Sequence, residues 1–203
     1  MTEQSNNERN RLRKEEWYVS DVPLSICQSL VSQFHYAHGG SNTATYRHGL
    51  VNKATHKCHG IAWWIPPTKS AALATLPENW EGVLCLSRLV IIPDTPKNAC
   101  SFLLSKSCKK INRERWPCLV TYADEWQGHT GSIYLASNWE FVGMTKPEAT
   151  FVTNGRMISR KAGPKTRTRQ QMESLGAIMV GRFSKFKFVN IIHPNRSRGG
   201  RGG

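Results

Sequence analysis

Apolar residues recur at Leu24, Cys27, Leu30, Val31 and Phe34, the spacing of one helix face. That periodicity predicts a helix from Pro23, suited to the first helical position, to about Ala37, with Gly39 and Gly40 as its stop. A first strand is expected just before it, over "WYVSDV" (17–22). Two β-rich runs follow, "TATYRHGLV" (43–51) and "KCHGIAWWI" (57–65), separated by a short polar turn, and these predict a hairpin. The stretch at 66–80, with Pro near both ends, is expected to be a loop. "GVLCLSRLVIIP" (82–93) is apolar almost throughout, the pattern of a central strand covered on both faces. "PCLVTYAD" (117–124) predicts a second such strand. Between them, 95–111 is expected to be a helix capped by Thr95 with Pro96 in its first turn.

The run "YLASNWEFVG" (134–143) changes period in mid-course. A helix over 129–137 should end at Asn138, which tolerates the left-handed conformation nearly as well as glycine. A strand should then begin by burying Trp139. Strand, helix, strand, helix, strand in succession implies an α/β sheet with crossover connections. Further on come a loop-rich insert with a helix within "KTRTRQQMESLG" (165–176) and one last strand over 181–192. In "KFKF" (185–188) strand alternation should turn Phe inward and Lys outward. Residues 1–16 and the Arg/Gly-rich tail 193–203 are expected to be disordered, leaving a single domain over 17–192.

Charge changes this picture of an ordinary α/β domain. The net charge is +14, and twelve Lys and Arg against one acid, Glu173, fall after residue 155. That leaves +3 for everything before it. A basic block on a near-neutral body is the footprint of a phosphate-backbone partner, with a merely solubilising surface as the alternative. Few aromatics interleave with the cations of 156–170, so Lys161, Lys165, Arg167 and Arg169, with Arg196 and Arg198 in the tail, should contact phosphates rather than stack bases. No apolar run is long enough to span a membrane, and the polar N-terminus does not read as a secretory signal. The six cysteines form no CxxC pair and are expected to be reduced thiols in a cytoplasmic protein.

Arg88 interrupts an apolar strand, and a charge there needs a partner or a ligand. Asp124 ends the next strand, at the edge where open α/β sheets bind ligands. Two readings remain open: an Arg88–Asp124 ion pair that holds the fold, or a catalytic pair in which Asp124 is a base or orienting carboxylate and Arg88 steadies the donor or the developing charge. His35 at the predicted helix end is equally a C-cap from spacing alone. His56, Cys58 and His59 invite a metal, but alternation puts His59 on the opposite face from the other two.

The order of elements resembles the GNAT acyltransferase superfamily, and "IYLASNWEFVG" is similar to its closing "LYEKLGFxxxG". "FHYAHGG", "GIAWWIPP", "LSRLVIIPDTPKNACSFLL" and "LVTYADEWQGHTGSIYLASNW" together resemble a narrower branch, the Mom proteins of phages, over residues 20–192. The resemblance implies a GNAT-like mixed sheet flanked by helices and attachment of a carbamoylmethyl group to adenine N6 in double-stranded DNA, masking phage DNA from restriction. It also implies that His35 and Tyr36 line the cleft and that Tyr134 protonates a leaving group. With Asp124, His35 and Tyr36 would stack, hydrogen-bond and deprotonate a flipped adenine. The superfamily's Gly-rich pyrophosphate loop is replaced here by "PDTPKNA", yet the helix start at Asn98, Ala99 and Cys100 still offers N–H groups to a phosphate. The donor is left open, acetyl-CoA or another acyl or aminoacyl donor, as are an iron site on His35 and Asp124 and a homodimer. An acyltransferase acting on RNA or a protein amine, and a non-catalytic DNA-binding protein, are the alternatives.

Overall fold

A computed structural model describes residues 11–39, 42–162 and 165–192. Its centre is a seven-stranded sheet, β1 (Trp17–Asp21), β2 (Tyr46–Asn52), β3 (Cys58–Ile65), β4 (Val83–Ile91), β5 (Cys118–Asp124), β6 (Glu140–Met144) and β12 (Lys185–Ile191). Their order is β1-β2-β3-β4-β5-β12-β6. Only β4 and β5 run parallel; every other neighbour pair is antiparallel.

The apolar run in β3 is explained by what covers its two faces. Ile61 and Trp63 pack with Cys27 and Val31 of α1 (Leu24–Phe34). Ala62 and Trp64 point the other way, into a core with Leu103 and Leu104 of α3 (Ala99–Lys110). A strand with a helix on each face has no solvent side, so alternation disappears from its sequence. Behind β5, Cys118 and Val120 pack with Ala72 of α2 (Lys69–Leu73), a short helix capped by Thr68. This corrects the expected loop at 66–80, where the cap after Pro67 starts one turn that buries Ala72.

The junction at Asn138 forms as its sequence requires. Residues Ser132–Leu135 make α4, Asn138 takes φ +60°, and the Trp139 N–H bonds back to the Tyr134 carbonyl at 3.0 Å. Trp139 is 4% exposed and packs on Trp64 and Tyr134.

Three expectations are corrected besides the loop. The helix foreseen from Thr95 starts only at Ala99, because Thr95 turns back on Ile92 and Asn98 enters the left-handed region at φ +68°. Residues 11–16 lie against the body: the Leu12 N–H donates to the Lys97 carbonyl, and Leu12 packs on the core. Residues 1–10 and the tail 193–203 lie outside the described residues.

The third correction is the largest. The last strand is split at Ser184, and only β12 belongs to the main sheet, where it inserts between β5 and β6. The preceding β11 (Ile178–Phe183) joins β7 (Glu148–Thr153) and β8 (Arg156–Ile158) in a separate three-stranded sheet ordered β11-β7-β8. A small hairpin, β9 (Lys161–Ala162) with β10 (Lys165–Thr166), and α5 (Arg169–Glu173) complete this insert. Its core is Phe151, Met172 and Ala177, and a capping box between Thr168 and Gln171 starts α5.

Candidate active site

The parallel pairing of β4 and β5 covers only Val83–Cys118, Leu84–Leu119 and Cys85–Val120. Beyond it the strands part. The Thr121 hydroxyl bonds to the Leu86 carbonyl at 3.2 Å where they separate, and Ser87 is an extra residue in β4 opposite Trp63–Trp64. The resulting wedge opens into a cleft of about 520 Å³. Leu86, Ser87 and Cys100 form one wall, Thr121 and Tyr134 another, and the 127–132 loop closes the rim.

His35 and Tyr36 reach this cleft because α1 ends at Phe34. The His35 backbone N–H still bonds to the Val31 carbonyl, so the residue is at once helix cap and cleft wall. Its ring stacks on Tyr36 at 4.3 Å, and Tyr36 in turn meets His129 edge-on at 5.8 Å. His35 Nδ1 accepts the Ala37 N–H at 3.1 Å, which assigns the ring proton to Nε2 in the neutral form. Burial first, then the charges of Arg88, His129 and His38, holds the imidazole down to about 4, so it is neutral at pH 7.

Asp124 is 4% exposed and stands behind Tyr36. The Tyr36 phenol lies close to its carboxylate, and burial together with that negative charge pushes the phenol up to about 12. Asp124 Oδ1 also accepts the Trp126 N–H at 3.1 Å, and Lys185 Nζ lies 3.7 Å from Oδ2. Lys185 arrives there because β12 pairs with β5 in a register that sets it opposite Asp124.

Arg88 does not pair with Asp124. Its Nε and Nη2 donate to the Gly39 carbonyl at 3.0 and 2.8 Å, and Nη1 donates to the Ser87 carbonyl at 2.7 Å. The fold-holding ion pair is therefore replaced by a clamp: Arg88 ties the segment after Tyr36 to β4 and satisfies its own charge with carbonyl oxygens. Tyr134 lines the cleft from α4, with its ring against Trp139 and Phe188. Burial raises it to about 12, so it is protonated at neutral pH.

At the start of α3, Cys100 lines the cleft, Ala99 is buried, and Asn98 faces a separate groove with Lys14, Lys106 and Lys109. Asn98 supplies in the left-handed region what a glycine would have supplied, so the Gly-free loop still turns into the helix. The three residues expected to hold a donor phosphate are thus divided, and only Cys100 lines the cleft. Iron fits less well. His35 Nδ1 is engaged, the Asp124 carboxylate already holds the Trp126 N–H and Lys185, and no group of three His, Cys, Asp or Glu converges among the described residues.

Of the basic residues singled out, Lys165 and Arg167 line a groove on the insert, Arg169 is tied to Glu173 at 2.7 Å, and Lys161 lies in β9. Arg196 and Arg198 lie outside the described residues. His129 was missed: it is a single histidine in an exposed loop, and the only signal was its place five residues after Asp124.

A family model, that of the Mom protein family, matches residues 16–198. The chain belongs to the Mom protein family. No curated protein sequence matches it significantly. Solved structures with a similar fold include a spermidine N-acetyltransferase from Vibrio cholerae in complex with CoA and spermine, at TM-score 0.54 and 7% identity over 87% of this chain and 96% of that one. An IAA acetyltransferase from Bacillus cereus matches at TM-score 0.52 and 8% identity over 87% and 99%. An N-acetyltransferase from Staphylococcus aureus matches at 0.52 and 10% over 86% and 98%. At such identities the likeness is one of fold: this Mom-family chain has a GNAT-like mixed sheet flanked by helices. Among the described residues no helix is long and apolar enough to cross a membrane.

Proposed function

We propose that this chain attaches a carbamoylmethyl-type group to N6 of adenine in double-stranded DNA, in the cytoplasm of a bacterial host, and so masks phage DNA from restriction. The observation that carries the chemistry is the closeness of the cleft-lining Tyr36 phenol to the buried Asp124 carboxylate, whose charge helps to raise it. Asp124 does not itself line the cleft, whereas Tyr36 does. The exocyclic amine of adenine is a weak nucleophile because its lone pair is delocalised into the ring, so it must lose a proton as it attacks. As the N–C bond to the donor carbon forms and the bond to the leaving group breaks, the amine proton passes to the Tyr36 oxygen. The Tyr36 proton passes to Asp124. Protonated Tyr134 donates to the leaving group. His35, neutral and protonated on Nε2, donates a hydrogen bond to a ring nitrogen of the base, and Arg88 keeps the His35–Tyr36 pair in place.

The donor, whose methylene carbon bears the leaving group, would be held by the wedge between β4 and β5; acetyl-CoA or another acyl or aminoacyl donor there would instead acylate N6, with its thiolate or alkoxide leaving. The test is mass analysis of nucleosides from host DNA after expression of the native chain and of Asp124→Asn. An adenine adduct present with the first and absent with the second supports the proposal. Unmodified DNA alongside acylated RNA or protein would move the chain to the amine acetyltransferases its fold resembles. Unmodified DNA and no other acylated product, with duplex binding intact, would make it a non-catalytic DNA-binding protein.

A further inference from the structure

The insert joins the main sheet next to Asp124. The Ser184 N–H donates to Glu125 Oε2 at 2.9 Å, Thr145 and Lys185 exchange hydrogen bonds at 2.9 Å, and Phe183 packs on Trp126 with ring centres 5.0 Å apart. From that root β7 and β11 run outward together, with Phe183 opposite Glu148 at the near end and Ile178 opposite Val152 at the far end. Six strand residues span about 17–20 Å. The far end is finished by the Asn154–Gly155 turn, both residues at positive φ, and by the turn from α5 into β11.

The chemistry of the two ends differs. At the far end Leu175 is 51% and Ile178 69% exposed, although the insert has a core of its own in which Met172 and Ala177 are buried. Leu175 also borders a groove of about 660 Å³ lined by Lys165 and Arg167, and Arg156 follows the neighbouring turn. Residues 145–184 carry eight Lys and Arg against two Glu, a net +6, and one of those acids, Glu173, is held by Arg169. Bare aliphatic side chains on so basic an insert are poorly matched to water, and the charge opposes a second copy of the same surface. They match a duplex, whose grooves offer apolar base edges and steps between two rows of phosphates.

We infer that the insert is an arm laid along a DNA groove, with Leu175 and Ile178 pressed into the base stack and Lys165, Arg167 and Arg156 on the flanking phosphates. The inference rests on the proposed action on duplex DNA. With the target adenine in the cleft and about 3.4 Å of rise per base pair, an arm of this length touches the duplex about five base pairs from the target. Contact at that distance stabilises the distortion from which an adenine can leave the stack.

The experiment uses the full chain and an unmodified duplex carrying 2-aminopurine at successive positions, with binding measured across a salt series. For the native chain, fluorescence should rise at a step about five base pairs from the target as well as at the target. Leu175→Ser with Ile178→Ser should weaken binding about tenfold, remove the distant signal and leave the salt slope unchanged. Lys165→Ala with Arg167→Ala should lower the slope by about two. Leu73→Ser, an exposed aliphatic residue of the main body, is the control and should do nothing. Native-like binding and fluorescence from the Leu175/Ile178 variant would overturn the arm while leaving DNA as the partner. So would a dimer of the native chain that this variant dissociates. Failure of the native chain to bind the duplex would overturn the proposed function itself.

Discussion

Gly131 opens α4 at the rim of the cleft, and replacing it by alanine tests how closely the site is built onto the core. Its φ of +76° lies in the left-handed region, where a Cβ costs about 1 kcal/mol or more. That Cβ would also stand 2.2 and 2.3 Å from Cε2 and Cζ of Phe188, which is 1% exposed and locked between Tyr134 and Phe141. Overpacking of a rigid core costs about 1–3 kcal/mol more. Gly131→Ala should therefore lose about 2–4 kcal/mol. Gly128 is the internal control, since its φ is +69° but nothing lies within 4 Å of its would-be Cβ. Gly128→Ala should lose only about 1 kcal/mol. In urea unfolding, with a slope of about 2 kcal/mol per molar, the two midpoints should differ by about 0.5–1.5 M at equal slopes. Adding Phe188→Leu to Gly131→Ala should recover part of the loss, as coupled neighbours do. Equal midpoints for the two alanine variants would refute the close approach. Because Phe188 and Lys185 share β12, Gly131→Ala should also cut modification more than its stability loss explains.

Four other outcomes are expected. Ser107→Ala leaves the buried Trp64 Nε1–H and His48 Nδ1 without the hydroxyl they meet at 2.8 and 2.7 Å, and should cost about 2–4 kcal/mol by chemical denaturation. His48, 1% exposed, is held down to about 4, chiefly by burial, so folding favours its neutral form; stability should be full above about pH 6.5 and fall as the pH drops toward 4. About 2 kcal/mol should be gone by pH 5, His35 adding to the loss, and a flat stability profile from pH 7 to 5 would contradict this. Tyr36→Phe keeps the stack on His35 but breaks the relay; adduct formation should fall about 10²-fold or more with duplex affinity unchanged, read from nucleoside yield and binding together. Removing residues 193–203 should lower duplex affinity and its salt slope without abolishing chemistry, and an unaltered slope would exclude the tail as a phosphate contact.

What the sequence determined by itself is whatever neighbouring residues decide among themselves. The helix-to-strand change at Asn138 follows from one residue's tolerance of positive φ and from the bulk of Trp139 beside it. The apolar runs of β4 and β5 declare strands with both faces covered, and the crowding of cations after residue 155 declares a basic C-terminal part. Arg88 and Asp124 were legible as residues in need of partners, because an unpaired charge in an apolar strand is costly wherever the strand lies. Which partners they take was decided by the tertiary structure alone. The choice of Gly39 for Arg88 depends on where the end of α1 lands over β4, and that of Lys185 for Asp124 on the register of β12 against β5; separations of 49 and 61 positions leave no mark on local pattern. The division of the last strand at Ser184 was likewise invisible, since Ile178–Phe183 and Lys185–Ile191 are both strand-like runs and Ser184 between them is no breaker. His129 entered the site in the same way: a loop side chain carries no periodicity, and the turn that bonds its N–H to the Asp124 carbonyl brings its ring against Tyr36.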